Sequence, residues 1–326
     1  MQSVGMNGVG RFGQHLLKIW LESDDINNIS IDYIHDYSLR PRKIVDILLA
    51  DEYLSDFFEK KIVSHTHNSI TFKKKSGSVH TIPCSTGGVI PWIGKPKLHL
   101  ETSGRHTDSI SARDFITQNT KHVIISATAP GADKTLLFGF NHEQFSSKDR
   151  VISYGSCTVN AYVCLANFIN NNYGIVSSDA NIIHNTPKHL WSKQLILRKQ
   201  CTLEEAAPQY LSFLNSGNFA VNYTLIPFTG VSVIDYRFEL YKPVNVQKII
   251  VDFKEAITGG ALRGLYDIEK HSKGANEYKF TKFSAVLLQE NIRIVGKNLY
   301  ISAFFDNENS AIRYLDLVNY IAGKIR

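Results

Sequence analysis

The sequence predicts an α/β chain of two domains, and three neighbouring stretches carry that expectation. Ser3-Val4-Gly5-Met6 has the character of a short strand and runs straight into Gly8-Val9-Gly10-Arg11-Phe12-Gly13. Behind this loop Phe12, Leu16 and Trp20 recur at helical spacing with Leu17 and Leu21 beside them, giving a helix with one buried face. Ile29 to Ile34 then reads as a second strand closing on His35 and Asp36, which completes a β-α-β unit.

The remaining elements follow in order. Val123-Ile124-Ile125-Ser126 is a third apolar strand and ends in a small-residue loop, Ala127-Thr128-Ala129-Pro130-Gly131. Val151-Ile152-Ser153 is a fourth and stops just before Cys157. From Thr158 the pattern turns helical, with Ala161, Cys164, Leu165, Phe168 and Ile169 expected on one face. The second half is richer in strands, at Asn181 to Ile183, Val231 to Leu240 and Leu299 to Phe305, and finishes in an amphipathic helix from Ile312 to Ile325. With no internal repeat and no low-complexity linker, the domain boundary falls near Cys157 on composition and motif alone.

Composition narrows the function classes. A chain of 326 residues with 43% apolar and 20% charged residues can bury two ordinary cores and is not a disordered one. No apolar run approaches a membrane span, and the N-terminus lacks a basic segment followed by an apolar one, so a cytoplasmic protein without a membrane partner is expected. The four cysteines form no Cys-x-x-Cys pair, so neither a metal site nor a disulfide framework is expected. The net charge of +6 is dispersed, and its one basic triplet, Lys73-Lys74-Lys75, follows the strand-like Ser69 to Phe72. A solvated hairpin is the expectation there rather than a polyanion contact, and no nucleic-acid partner is expected.

The glycine loop has the form of a dinucleotide site. Gly8 allows a tight turn, Gly10 lets backbone approach a pyrophosphate, and Gly13 lets helix pack closely on strand. The N–H groups of Arg11 and Phe12 at the helix start would face the phosphates, where the helix dipole favours negative charge. Asp36, about 20 residues further on, would accept hydrogen bonds from the adenosine ribose, which favours NAD. The alternative is an ordinary strand-end aspartate, and Arg40, Arg42 and Lys43 leave tolerance of NADP open. Ser126, closing the third strand, is a further candidate for cofactor contact.

The second constellation is a thiol with a base. Cys157 sits in Ser153-Tyr154-Gly155-Ser156-Cys157-Thr158-Val159-Asn160, just inside a helix start where the dipole would stabilise a thiolate. Ser156 can cap that helix, and Thr158 can offer a hydroxyl toward an anion above it. His184 ends the strand-like Asn181-Ile182-Ile183, where a side chain can project into a cleft. Together they suit attack of a thiolate on an aldehyde, removal of the hydroxyl proton by His184, hydride transfer to a nicotinamide, and release of the resulting thioester by phosphate or water. Read in isolation, the cysteine could equally be a structural core residue and the histidine a hydrogen-bonded core group.

These blocks resemble the family of phosphorylating glyceraldehyde-3-phosphate dehydrogenases and erythrose-4-phosphate dehydrogenases. The matches run in order along nearly the whole chain: Gly5 to Gly13, Glu101-Thr102-Ser103-Gly104, Val123 to Ala129, Gly139-Phe140-Asn141-His142-Glu143, Ser156-Cys157-Thr158 with His184, Pro227 to Asp235, and Asp306-Asn307-Glu308. The resemblance implies an N-terminal Rossmann NAD-binding domain, residues 1–156 completed by the terminal helix 309–326, and a C-terminal α+β catalytic domain, residues 157–308. It implies Cys157 as nucleophile, His184 as base, Asn307 bonding the nicotinamide carboxamide, and Ser156 and Thr158 lining the site for attacking phosphate. The family is typically homotetrameric.

The departures cluster around the substrate phosphate. Leu225 stands where the family has an arginine, and Pro187 and His189 stand where it has two phosphate-binding threonines. The family's Ser-Thr-Gly-Ala-Ala stretch is not recognisable between Trp191 and Asn222, and the segment from His184 to Pro227 is shortened. Asn309 and Ala311 replace two aromatic positions near the end. The expectation is therefore an NAD-dependent dehydrogenase of an aldehyde other than glyceraldehyde-3-phosphate, with Lys188 and His189 as candidate substrate contacts and inorganic phosphate as one acyl acceptor. Ordinary glyceraldehyde-3-phosphate oxidation through a rebuilt pocket, a non-catalytic binding protein on the same fold, and an acyl-phosphate reductase are the alternatives. The shortened segment favours a homodimer over the family's tetramer.

Overall fold

The computed structural model describes residues 1–186, 196–228, 230–306 and 309–325. The chain forms two compact units, residues 1–155 with 311–326, and residues 156–310.

The first unit runs β1 (Gln2–Asn7), α1 (Arg11–Glu22), β2 (Ile29–Asp36), α2 (Pro41–Ala50), α3 (Ser55–Lys61), β3 (Ile62–His65), β4 (Ser69–Lys73), β5 (Val79–Thr86), β6 (Leu98–Glu101), α4 (Ser109–Arg113), β7 (His122–Ile125), β8 (Lys134–Thr135) and β9 (Val151–Ser153). Its sheet has the order β3-β4-β5-β2-β1-β6-β7-β9-β8. All pairings from β5 to β8 are parallel, while β3, β4 and β5 form an antiparallel edge. This is a doubly wound, Rossmann-like sheet, and its strand order reverses around β1, which lies between β2 and β6. In such sheets ligands bind outside the carboxyl ends of the strands at that switch point.

The central strands are apolar because both faces are covered, as Leu98, Leu100, Val123, Ile124 and Ile125 illustrate. Leu16, Leu17, Trp20 and Leu21 form the buried stripe of α1, as its periodicity predicts. Gly5 interrupts β1 because a Cβ there would run into the Trp92 ring. The basic triplet does turn a hairpin between β4 and β5, but only Lys73 and Lys75 are solvated. Lys74 lies over the Trp20 ring at 4.5 Å, and Lys75 pairs with Asp24 at 2.7 Å, so two of the three charges serve their own unit.

The second unit comprises α5 (Cys157–Tyr173), β10 (Ile175–Asn185), β11 (Leu197–Arg198), α6 (Thr202–Tyr210), β12 (Phe219–Ile226), β13 (Val231–Leu240), α7 (Val246–Gly259), β14 (Tyr266–Glu269), β15 (Ala285–Leu288), β16 (Arg293–Val295) and β17 (Asn298–Asp306). Its mixed sheet has the order β11-β12-β10-β13-β17-β15-β14, with β16 also paired to β17. β10 is central, parallel to β12 and antiparallel to β13. The first turns of α5 are buried on nearly every side rather than on the single expected face, because Tyr162, Val163 and Ala166 are enclosed along with Ala161 and Leu165. Aromatic packing accounts for much of this: Tyr162 lies 5.1 Å from Phe219 and 6.1 Å from Tyr236 between ring centroids.

The last helix, α8 (Asn309–Lys324), begins three residues ahead of the expected Ile312. From Ala311 onward it belongs to the first unit, where buried Tyr314 donates its hydroxyl to the Ile124 carbonyl at 2.6 Å. No helix among the described residues is long and apolar enough to cross a membrane.

Candidate active site

In the first unit the sequence-predicted cofactor residues gather at the carboxyl ends of β1, β2 and β7. Gly8 has φ +106°, and a Cβ there would stand 2.5 Å from Ser103 backbone, so only glycine fits. A Cβ at Gly13 would meet the Gly8 carbonyl oxygen, whereas one at Gly10 would meet no atom within 4 Å. The loop is thus closed on the protein side at Gly8 and Gly13 and open at Gly10. α1 starts at Arg11 with Gly10 as its N-cap and no side-chain cap, leaving the positive end of the helix facing outward. Phe12 lends its ring to the core, edge-on to Tyr314 at 5.5 Å, so its part in any phosphate contact is confined to backbone.

Asp36 is buried, and its Oδ2 accepts the Val9 N–H at 2.9 Å. Its Oδ1 accepts the N–H groups of Ser38 at 2.9 Å and Leu39 at 3.0 Å. The residue therefore shapes the glycine loop as well as presenting an acceptor, a role the motif alone does not reveal. Arg40, Arg42 and Lys43 are exposed at the start of α2. Ser126 lies just past β7, its N–H donating to the Glu101 carbonyl at 2.9 Å.

Glu101 and Thr102 were visible only as part of a motif with no assigned role. The Glu101 carboxylate accepts the Asn7 side-chain N–H at 2.6 Å and the Ser103 N–H at 2.9 Å. Burial pushes that carboxyl up, but His99, Ser103 and Asn7 together hold it below the usual range. Thr102 is buried and tied by its hydroxyl to the glycine loop. Short polar side chains of this kind have no periodicity to betray them.

In the second unit Cys157 opens α5. Ser156 is the N-cap, its hydroxyl accepting the Val159 N–H at 3.3 Å. Cys157 Sγ lies 3.6 Å from His184 Nε2, at the end of β10. His184 Nδ1 lies 2.8 Å from the Asn185 carbonyl oxygen, which can only accept, so Nδ1 carries the proton and Nε2 offers its lone pair to the thiol. Burial lowers the His184 pKa, only partly offset by that carbonyl, so the ring rests neutral.

The thiol itself differs from the expectation of a dipole-stabilised thiolate. Burial, and then the neighbouring Cys201, push Cys157 up to about 12, outweighing the N–H groups of Thr158 and of Cys157 itself. The resting pair is a thiol beside a neutral imidazole. Thr158 also departs from its expected role: it is buried, and its hydroxyl pairs with Ser156 at 3.1 Å and with Cys201 Sγ at 3.8 Å rather than reaching outward. Tyr223 and Phe305 flank the imidazole at 5.3 Å and 6.0 Å between ring centroids. Burial, followed by Cys157 and Cys201, raises the Tyr223 phenol. Neither Tyr223 nor Cys201 stands out in the sequence, since each lies among polar neighbours, Asn222 and Thr224 or Gln200 and Thr202, with no motif around it. Lys188, His189 and Asn307 lie outside the described residues.

No family model matches the chain. It is 26% identical over 346 residues to glyceraldehyde-3-phosphate dehydrogenase 1 of Bacillus cereus, covering 99% of both chains. It is 27% identical over 348 residues to glyceraldehyde-3-phosphate dehydrogenase of Ogataea parapolymorpha, covering 98% of each. Against glyceraldehyde-3-phosphate dehydrogenase 2 of Caenorhabditis elegans it is 26% identical over 353 residues, covering 99% of this chain and 98% of the other.

Proposed function

We propose that this chain, which resembles the glyceraldehyde-3-phosphate dehydrogenase family as a diverged member, is an NAD-dependent aldehyde dehydrogenase working through a thioester on Cys157. The observation that carries the reading is the Cys157–His184 pair at 3.6 Å with the tautomer of His184 fixed by Asn185. The first unit fits the cofactor: Gly10 leaves its side of the loop open, the start of α1 offers its positive end to a pyrophosphate, and Asp36 Oδ2 keeps a lone pair for a ribose hydroxyl. NAD, when bound, supplies the hydride acceptor.

The chain's own residues handle the proton and the carbon. As the Cys157 sulfur bonds the aldehyde carbon, its S–H proton passes through His184 Nε2 to the carbonyl oxygen, giving a hemithioacetal. Nε2 then takes the hydroxyl proton as hydride leaves that carbon, and the product is a thioester with an imidazolium beside it. Phosphate or water attacks the thioester, and the sulfur leaves as thiolate and recovers the proton from His184. Asn185 holds the ring throughout, its side chain donating to the Gly230 carbonyl.

The names of the relatives favour a second reading, oxidation of glyceraldehyde-3-phosphate itself. One experiment tests the shared chemistry: aldehyde, NAD and arsenate are mixed with the protein, NADH is followed by absorbance, and acylated Cys157 is trapped for mass spectrometry. NADH formation that Cys157→Ser abolishes supports the proposal. Absence of both NADH and acyl-enzyme across phosphorylated and unphosphorylated aldehydes refutes it.

A further inference from the structure

The strand register beside His184 bears on what the aldehyde is. His184 pairs with Leu225 across β10 and β12, and Leu225 pairs in turn with Leu197 of β11. Ile182, two residues before His184, pairs with Tyr223. Paired residues on neighbouring strands project from the same face, and the ring of Tyr223 indeed packs 5.3 Å from that of His184. Leu225, Leu197 and Tyr223 are each only half-buried. Arg198 pairs with Thr224 and so projects from the opposite face.

We infer that Leu197, Tyr223 and Leu225 form an apolar wall that receives the aldehyde's chain beyond the carbonyl, and that the substrate class is an unphosphorylated aliphatic or aryl-alkyl aldehyde. This deepens the thioester reading and rests on it. Neighbouring strands lie about 5 Å apart, so the wall extends about 5 to 10 Å sideways from His184, the reach of a medium-length hydrocarbon chain. A phosphate there would need several charge-assisted hydrogen bonds, and among the described residues of this wall two leucines and one phenol offer a single neutral donor. An apolar chain instead gains by leaving water.

Two measurements test the wall. The first is alkylation of Cys157 by iodoacetamide, N-hexyl iodoacetamide and iodoacetate, each rate divided by that of the same reagent with free cysteine. The hexyl reagent is expected to lead iodoacetamide by at least about tenfold, the effect of burying roughly two methylene groups, with iodoacetate slowest. Leu225→Arg is expected to erase that lead and favour iodoacetate, while Leu225→Met, which keeps the fold and the apolar surface, preserves it. The second is kcat/KM with NAD for hexanal and 3-phenylpropanal against glyceraldehyde-3-phosphate, where the apolar aldehydes are expected to lead by at least about tenfold. Equal labelling with and without the hexyl tail, or a preference for the phosphorylated aldehyde, overturns the inference. Tail-selective labelling without turnover of any aldehyde leaves the wall standing and refutes the dehydrogenase reading instead.

Discussion

The hydroxyl of Thr102 lies 2.8 Å from the carbonyl oxygen of Gly8 and 2.9 Å from that of Asn7. One side chain from the end of β6 thereby fixes the loop that follows β1, across the switch point of the sheet. Thr102→Val keeps the shape and leaves the buried Gly8 carbonyl short of a donor, while the Asn7 carbonyl keeps the Thr102 N–H at 2.9 Å. It is expected to cost about 1 kcal/mol of stability in urea unfolding and to weaken NAD binding, both read against wild type. Unchanged NAD affinity would show that the loop holds its form without this bond.

Cys157 is expected to be the cysteine that reacts first with iodoacetamide, since Cys84, Cys164 and Cys201 are buried and Cys157 is not fully so. The pH dependence follows from the two shifts. Between a His184 pKa held below 6.5 and a Cys157 pKa raised to about 12, the pair keeps the same proton count, so labelling is flat from pH 7 to 9. It falls at lower pH as His184 gains a proton and loses its lone pair. His184→Asn is expected to slow labelling at pH 7, to make it rise about tenfold per pH unit, and to lower turnover by about 10² to 10⁴. A flat profile in that variant would remove His184 from the role of base.

NAD is expected to bind more tightly than NADP by at least about tenfold, or about 1.4 kcal/mol. The Asp36 carboxylate would repel a 2′-phosphate while accepting from a free ribose hydroxyl. Calorimetric titration of both cofactors decides it, and equal affinities would mean that the exposed Arg40, Arg42 and Lys43 govern the pocket.

The chain is expected to assemble as a homodimer, since the segment between His184 and Pro227 is shorter than in the family it resembles. Light scattering at low micromolar concentration checks this. A stable tetramer would show that the lost segment is dispensable for assembly.

Much of this is legible in the sequence because it rests on period and punctuation. Leu16, Leu17, Trp20 and Leu21 announced α1, and the glycines announced the turn into it. What escaped was set by pairing between distant segments. Leu225 becomes a neighbour of His184 only through the register of β10 and β12, and Cys201 reaches Thr158 only once α6 packs on α5. The resting thiol escaped for a different reason: burial is a property of the finished fold, and it outweighed a helix start that the sequence made obvious.

The return of the chain's final residues to the first unit has a consequence for biosynthesis. The Ile124 carbonyl waits for the hydroxyl of Tyr314, and the ring of Phe12 waits for the same side chain. Synthesis must therefore proceed as far as Tyr314 before the N-terminal sheet can acquire this packing partner, although domains ordinarily fold in the order in which they emerge. Until then a nascent chain exposes apolar surface on its oldest part. A chain truncated ahead of Tyr314 would keep every strand of the second unit and leave the first without that partner.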